Sequence, residues 1–464
     1  MLRTLGGVFS QRLQRWIPEP FVIAMLLTLL TATSCLIFTD SGPEEVLDHW
    51  FRGFWLLLEF GMQMVLIMVT GFAIALSPPI ARLIGKLTAL ARTPGAVYIL
   101  VILVGGAFSL VSWSWVVLTA ILAREMARRV KGVDYAYLVA LVYLSILPWA
   151  GGLSSSIALL LNTEGNFLIT TGVLPAKIAI PATLGSLLNW LYLGVYFVTV
   201  PLLMWMMRPH DTAVLSLKDM ADSETLEQKT VAEEAAAHTG DGNSPSDRLN
   251  NSVILQLLVA IPALFYVLSH FHSNGFDLNL NIMIFLFIGL GMLAHRTPLC
   301  FVIAMKRACS NVSGIVFQYP FYAGIMGIMM FSGLGNQLAI EIASGASLET
   351  LPFFAQLAGA VANFAIPSAG GEWAVIGPAL TDAAVSLAAD LPPEQQTGYI
   401  ARIAMAAAYG ETSTNLMQPF FLLLVLPVMG AGVRIQARDV MGYLVIPFLY
   451  LFLTTALLVS FVPL

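Results

Sequence analysis

Charge is scarce in this chain. Asp, Glu, Lys and Arg together make up 11% of its 464 residues, 58% are hydrophobic, and the mean hydropathy is +0.83. A soluble domain covers its surface with charge, so this scarcity points to a membrane protein. Cysteine is also nearly absent. Cys35, Cys300 and Cys309 form no metal-ligating or redox spacing and read as small apolar filler. The histidines, His49, His210, His238, His270, His272 and His295, all fall in loops or at the ends of apolar runs. An intramembrane serine hydrolase built on Gly152-Leu153-Ser154 is the enzyme alternative, and it lacks a base beside the serine. No His-Glu-x-x-His and no phosphate-binding loop occurs. The chain therefore reads as a non-enzyme.

What is present is a series of long apolar runs, the signature of transmembrane helices. Backbone polar groups in lipid must be satisfied internally, so an all-α polytopic fold is expected. Lys and Arg mark the cytoplasmic side. Arg3, Arg12 and Arg15 place the N-terminus inside, ahead of a retained first span over Pro20–Phe38. An acidic outer loop, Asp40–Asp48, leads to a second span over about Phe54–Leu76. Arg82, Lys86 and Arg92 then return the chain inside. The uncharged stretch Thr93–Ala123 is followed by Arg124, Arg128, Arg129 and Lys131. Basic clusters on both flanks fit a hairpin that enters and leaves on the cytoplasmic face, with a turn at Gly105-Gly106 and Ser112-Trp113-Ser114-Trp115. Further spans are expected over Tyr135–Leu161, broken at Pro148 and Gly151-Gly152, and over Lys177–Met207.

Residues 208–250 hold nine acids against four bases, which accounts for the whole net charge of −5. This segment reads as a flexible, solvated cytoplasmic linker. Beyond it, spans are expected over Ser252–His270, Leu278–Ala294 and Val312–Leu334. A second broken stretch, Leu351–Leu380, lies between Glu341 and Glu349 on one side and Asp382, Asp390 and Glu394 on the other. Acidic flanks make it a hairpin from the outside. Spans over Tyr399–Met429, interrupted at Gly410–Asn415, and over Met441–Val462 complete about nine spans and two re-entrant hairpins, with the C-terminus periplasmic. Residues 1–207 and 251–464 then carry the two halves of an inverted-topology repeat.

Matching broken apolar segments in two halves point to the binding site of a secondary transporter. Unwound backbone at membrane depth is tolerated only against protein or a water-filled cavity. Freed helix N-termini favour anions, and freed carbonyls and hydroxyls suit a hard monovalent cation. Ser112, Ser114, Ser154, Ser155 and Ser156 supply such oxygens in the first half. Ser368, with Gly370 and Gly371 beside it, and Thr412, Ser413, Thr414 and Asn415 supply them in the second. Two acids, Glu372 and Glu411, sit inside broken elements, where a carboxylate is expensive and functional by default. Each could ligate a cation, carry a proton or cap a hairpin arm. Trp113, Trp115, Phe108, Phe364 and Trp373 flank the breaks as packing or as an apolar wall for a short acyl tail. Apart from Arg402 near one interface, the inner spans contain almost no Lys or Arg. A substrate carboxylate would rest on amides, hydroxyls and a co-bound cation, which fits a small monocarboxylate better than a polyanion.

Four motifs together resemble the bacterial short-chain fatty acid transporter family. They are Arg15-Trp16-Ile17-Pro18-Glu19-Pro20-Phe21, Ser112-Trp113-Ser114-Trp115, Gly151-Gly152-Leu153-Ser154-Ser155-Ser156, and Ile366-Pro367-Ser368-Ala369-Gly370-Gly371-Glu372-Trp373. The resemblance covers nearly the whole chain outside 208–250. It implies uptake of short-chain fatty acids or 3-oxo acids, such as butyrate and acetoacetate, across the bacterial inner membrane. The alternative is another carboxylate, such as a C4-dicarboxylate. It further implies kinship with the ion-transporter superfamily, whose members pair two re-entrant hairpins with two broken helices and often work as elevator-type dimers, so a homodimer is expected. Related dicarboxylate carriers use Ser-Asn-Thr signatures for sodium. Here the matching places read Ser154-Ser155-Ser156 and Ser413-Thr414-Asn415, leaving the coupling ion as Na+ or H+, with no cofactor and no nucleic acid partner.

Overall fold

A computed structural model describes residues 20–463 apart from 57, 165, 171, 210–216, 218–229, 239–243, 276–279, 312, 368 and 431. The fold is helical, and no β-strand occurs among the described residues. The first half comprises α1 (Pro20–Phe38), α2 (Pro43–Leu56), α3 (Leu58–Ala75), α4 (Pro78–Leu90), α5 (Pro94–Val111), α6 (Val116–Arg129), α7 (Tyr135–Leu144), α8 (Ser156–Leu161) and α9 (Leu187–Met207). A linker helix, α10 (Val231–His238), precedes α11 (Val253–Asn274), α12 (Leu280–His295), α13 (Pro298–Asn311), α14 (Ser313–Phe331) and α15 (Leu334–Ala343). The chain ends with α16 (Leu351–Ala365), α17 (Ala369–Leu387), α18 (Pro393–Thr414), α19 (Leu422–Met429) and α20 (Val445–Phe461). Local chemistry sets several starts. The side chains of Thr93, Asp134, Ser186 and Ser252 each accept the N–H three residues on, satisfying an orphan donor of the first turn.

Five stretches are long and apolar enough to cross a membrane: Pro94–Val111, Tyr135–Leu161, Leu187–Met207, Pro245–Asn274 and Ala437–Phe461. A sixth arises if Val65–Ala75 and Pro78–Leu90, bent by 68°, count together. Shorter apolar helices accompany them, among them Ala24–Phe38, Asn281–His295 and Pro320–Phe331. The chain is thus a polytopic membrane protein. Burial separates its helices into two groups. In the most apolar 18-residue stretch of Tyr135–Leu161, 89% of the residues are buried; in that of Pro245–Asn274 only 22% are. Helices α1–α3 and α11–α14 pack on one another, leaving large apolar side chains such as Leu29, Ile254, Leu258 and Phe265 outward. Such faces suit lipid. The broken elements α5–α9 and α16–α20 pack into the main core.

Several boundaries differ from the sequence expectation. Asp40–Asp48 is not a simple loop, because α2 starts at Pro43 with Glu44 and Glu45 in its first turn, where they complement the helix dipole. The fourth expected span starts at Leu187 rather than Lys177, after a 3-10 turn at Ile180–Ala182. Lys306 and Arg307, which lie between the expected spans Leu278–Ala294 and Val312–Leu334, fall in a further helix, α13. Within 208–250, expected to be a solvated connection, α10 sits on α13, burying Val231 and Ala235 against Ala73, Ile303 and Ala304. Glu234 pairs there with Arg307.

Two glycine positions were expected at breaks and serve close packing instead. Gly105 and Gly106 lie inside α5, and the turn comes at Ser112–Trp115. A Cβ on Gly105 would come within 2.5 Å of Ser145 Oγ. Gly410 lies inside α18, and the break starts only at Asn415. A Cβ there would sit 1.9 Å from the Gln356 carbonyl oxygen of α16. Small residues let membrane helices approach backbone to backbone, which explains glycine without a break.

Candidate functional site

In each half, a helix–turn–helix tip meets the break of a neighbouring helix. In the first half α5 and α6 pack together and turn at Trp113–Trp115. The Trp113 N–H donates to Ser154 Oγ at 2.9 Å, and the Leu153 N–H donates to the Leu110 carbonyl at 2.7 Å. The contact is tight enough that a Cβ on Gly152 would lie 2.5 Å from the Leu110 carbonyl oxygen. Ser112, Ser154 and Ser155 are buried. Ser112 ends α5, Ser155 precedes α8, Ser156 opens α8, and Ser114 falls within the 3-10 turn. Ser112, Ser154 and Ser155 are therefore brought to one place, where the tip meets the break.

The second half is richer in amides and acids. Helices α16 and α17 pack together, and the described residues between them, Ile366 and Pro367, are non-helical. Ser368 lies outside the described residues. Gly370 and Gly371 fall in the first turn of α17, followed by Glu372, which is fully buried. Glu411, also fully buried, is held from two sides: Asn415 Nδ2 donates to Oε1 at 3.0 Å, and the Thr412 hydroxyl donates to Oε2 at 3.1 Å. Asn363 of α16 donates through Nδ2 to Asn415 Oδ1 at 2.9 Å and to the Glu411 carbonyl at 3.0 Å. Gln418 Nε2 donates back to the Asn363 carbonyl at 2.5 Å. Ser413 and Thr414 instead donate to the Tyr409 and Gly410 carbonyls of their own helix, at 2.7 and 3.0 Å. That is the ordinary back-bond of a hydroxyl in a membrane helix, and it leaves their lone pairs facing outward from the bond.

Glu372 has a different environment. Neither carboxylate oxygen has a hydrogen-bond partner among the described residues. Glu411 is the acid that acts on it electrostatically. No basic side chain forms an ion pair with either acid among the described residues. The first turn of a helix does favour a negative charge, by about 0.3–1 kcal/mol at exposed positions. That is far below the several kcal/mol that burying an unpaired ion costs.

The two halves are joined at their breaks. The Tyr143 hydroxyl of α7 donates to the Asn415 and Gln418 carbonyls at 2.7 and 2.8 Å. The Tyr409 hydroxyl donates to Asn189 Oδ1 at 3.0 Å, and Asn189 Nδ2 donates to the Gly151 carbonyl at 3.0 Å. Tyr192 stacks on Tyr409 with ring centroids 4.2 Å apart. Trp113, at the first tip, meets Phe421, at the second break, edge to face at 6.2 Å. Trp115 contacts Phe108 edge-on and stacks on Phe287 of α12. Trp373 is fully buried, whereas Phe364 is 45% exposed.

Asn363, Gln418, Tyr143 and Asn189 were not singled out by the sequence patterns. Asn363 and Gln418 carried a usable signal, since an amide inside an apolar run must find partners in lipid. Tyr143 carried none, because buried tyrosine is common and its partners here are the backbone carbonyls of Asn415 and Gln418, far away in sequence. Among the described residues no group of three or more His, Cys, Asp or Glu could hold a metal ion.

Known proteins are similar to this chain along nearly its whole length. The family model described as "Short chain fatty acid transporter" matches residues 1–463. A protein of Escherichia coli strain K12 named "Putative short-chain fatty acid transporter" is 36% identical over 97% of both chains. A Haemophilus influenzae protein of the same name is 34% identical over 96% of both chains. Among solved structures, the Alcanivorax borkumensis YdaH transporter is similar at 16% identity, over 96% of this chain and 98% of that one, with a TM-score of 0.47.

Proposed function

The chain belongs to the short-chain fatty acid transporter family, and from that membership we propose that it is a secondary active carrier of short monocarboxylates such as butyrate and acetoacetate. Coupling is to Na+ or H+, in the bacterial inner membrane. The observation that carries the coupled reading is Glu372. It is fully buried, at a helix start beside the second break, and both oxygens lack a donor among the described residues. A charge left in that state costs several kcal/mol, so the carboxylate needs a proton or a cation for company. Glu411 already has its two oxygens occupied by Asn415 and Thr412. Glu372 is therefore the group whose occupancy changes during transport.

In this reading α5–α6 and α16–α17 are re-entrant hairpins entering from opposite faces, in an inverted-topology repeat. The N-terminus is cytoplasmic and the C-terminus periplasmic. The substrate sits where the tips and breaks meet, with hydroxyls of Ser112 and Ser154–Ser156 on one side. Gly370, Gly371 and Thr412 lie on the other. Hydroxyls and amide groups supply hydrogen bonds, and the aromatic groups at Trp113 and Phe421 supply an apolar wall. Two copies form a homodimer. Counterflow in proteoliposomes tests the substrate. Preloaded butyrate should drive transient accumulation of labelled butyrate and acetoacetate. Accumulation of labelled succinate with butyrate inactive would replace the substrate by a C4-dicarboxylate.

A further inference from the structure

Arginine is almost absent from the tips and breaks, and it collects elsewhere. A cavity of about 1300 Å³ opens on the side that carries the linker, between α4, α6, α10, α13 and α19. Its lining includes Arg82, Arg124, Arg128, Arg129 and Arg307 against two acids, Glu125 and Glu233. Part of that charge is engaged. Arg128 pairs with Glu125 at 2.5 Å, Arg307 pairs with Glu234, and Arg124 Nη1 donates to the Val428 carbonyl at the end of α19. Glu233 is tied into its own helix start, accepting from the Thr230 N–H at 2.7 Å. Arg82 and Arg129 are exposed and form no ion pair among the described residues.

Charge is thus divided between two places. The tips and breaks hold two buried acids, which repel a carboxylate until a proton or cation is loaded, while the cavity holds a surplus of guanidinium groups. Guanidinium forks match carboxylates in geometry and charge, and a cleft lined by one sign concentrates the opposite ion. Resting on the transport reading above, we propose that this cavity is an anion vestibule that holds the carboxylate of a short-chain acid on the linker side of the protein. Arg82 and Arg129 supply the unpaired positive charge. Helix α10, capped at Thr230 and seated on α13, forms one wall and makes this part of the linker a component of the site.

Cys300 lines the same cavity and gives a readout that needs no transport. In a Cys309→Ser background, Cys300 should react faster with an anionic methanethiosulfonate than with a cationic one. Butyrate should slow labelling by a neutral maleimide, while butyramide and equimolar chloride should not. R82Q/R129Q should lower the anion preference by roughly 10-fold and abolish butyrate protection, and R82K/R129K should restore both. The same double Gln variant should raise the KM for butyrate by roughly 3- to 10-fold when substrate is supplied on the linker face. Equal labelling by both reagents, or protection by chloride as good as that by butyrate, overturns the vestibule. If butyrate protects Cys300 but wild-type protein moves no butyrate, the vestibule stands and the transport reading falls. If transport is intact but protection is absent, the reverse holds.

Discussion

Replacing Glu372 by glutamine keeps the volume of the side chain and removes its charge. Glu372 is fully buried, lies in the first turn of α17, and has two carboxylate oxygens without donors among the described residues. An unpaired buried carboxylate costs several kcal/mol, so the loaded ion or proton must offset that amount. A neutral amide at this position has no such need, and the site becomes permanently uncharged. Coupling should fail while substrate passage survives. The expected size follows from the gradient: a tenfold gradient of one coupled monovalent ion is worth about 1.4 kcal/mol and supports about tenfold substrate accumulation. E372Q should therefore equilibrate butyrate at a ratio near one under a gradient that drives the wild type to about ten, and still catalyse counterflow. The assay is labelled butyrate in proteoliposomes at matched protein abundance. Removing the buried charge should leave the unfolding temperature level or higher. Gradient-driven accumulation by E372Q equal to the wild type would refute the argument, because the charge on Glu372 would then have no part in coupling.

Other perturbations follow from the same geometry. Asn415→Ala removes the donor to Glu411 Oε1 and the acceptor of Asn363, and losing a hydrogen bond to a charged group costs about 1.5–3 kcal/mol. Uptake by that variant should fall by about 10- to 100-fold at unchanged membrane abundance, whereas Ser413→Ala, whose hydroxyl bonds its own helix, should lose far less. Gly410→Ala places a methyl 1.9 Å from the Gln356 carbonyl oxygen, so α16 and α18 must separate. Overpacking of this kind costs about 1–3 kcal/mol, and a lower unfolding temperature in detergent checks it. Glu234→Ala breaks the pair with Arg307 that helps to hold α10, a partly exposed contact worth about 1 kcal/mol or less. Its readout is faster proteolysis within 231–238 with little change in global stability. Cysteines placed beside Arg92 and Lys131 should both be labelled from the cytoplasm, and labelling from opposite faces would make α5–α6 an ordinary crossing.

The helical membrane fold was legible because burial in lipid leaves the backbone one economical choice, and the apolar runs of α1, α7, α11 and α20 announce it. The helix–turn–helix pairs were legible from Ser112-Trp113-Ser114-Trp115 and Ile366-Pro367, whose residues end one helix shortly before the next begins. The exact breaks were not. Gly105 and Gly410 look alike in sequence whether they interrupt a helix or let a neighbour approach, and only the positions of Ser145 and Gln356 decide. The acids at 372 and 411 stood out because charge is rare in such runs. Their difference did not, since the donors from Asn415 and Thr412 are local to Glu411, and nothing in the sequence says that Glu372 lacks them. The docked helix α10 was hidden by its setting: Val231 and Ala235 are too few to mark a packed face within an acidic segment.

The central claim is ion-coupled carriage of a short monocarboxylate, and one measurement addresses it most directly. Labelled butyrate uptake by the wild type should be followed in proteoliposomes under an imposed sodium gradient and, separately, an imposed pH gradient. The account predicts concentrative uptake under one of the two, abolished when that gradient is collapsed. Equilibration without accumulation under both gradients would contradict it.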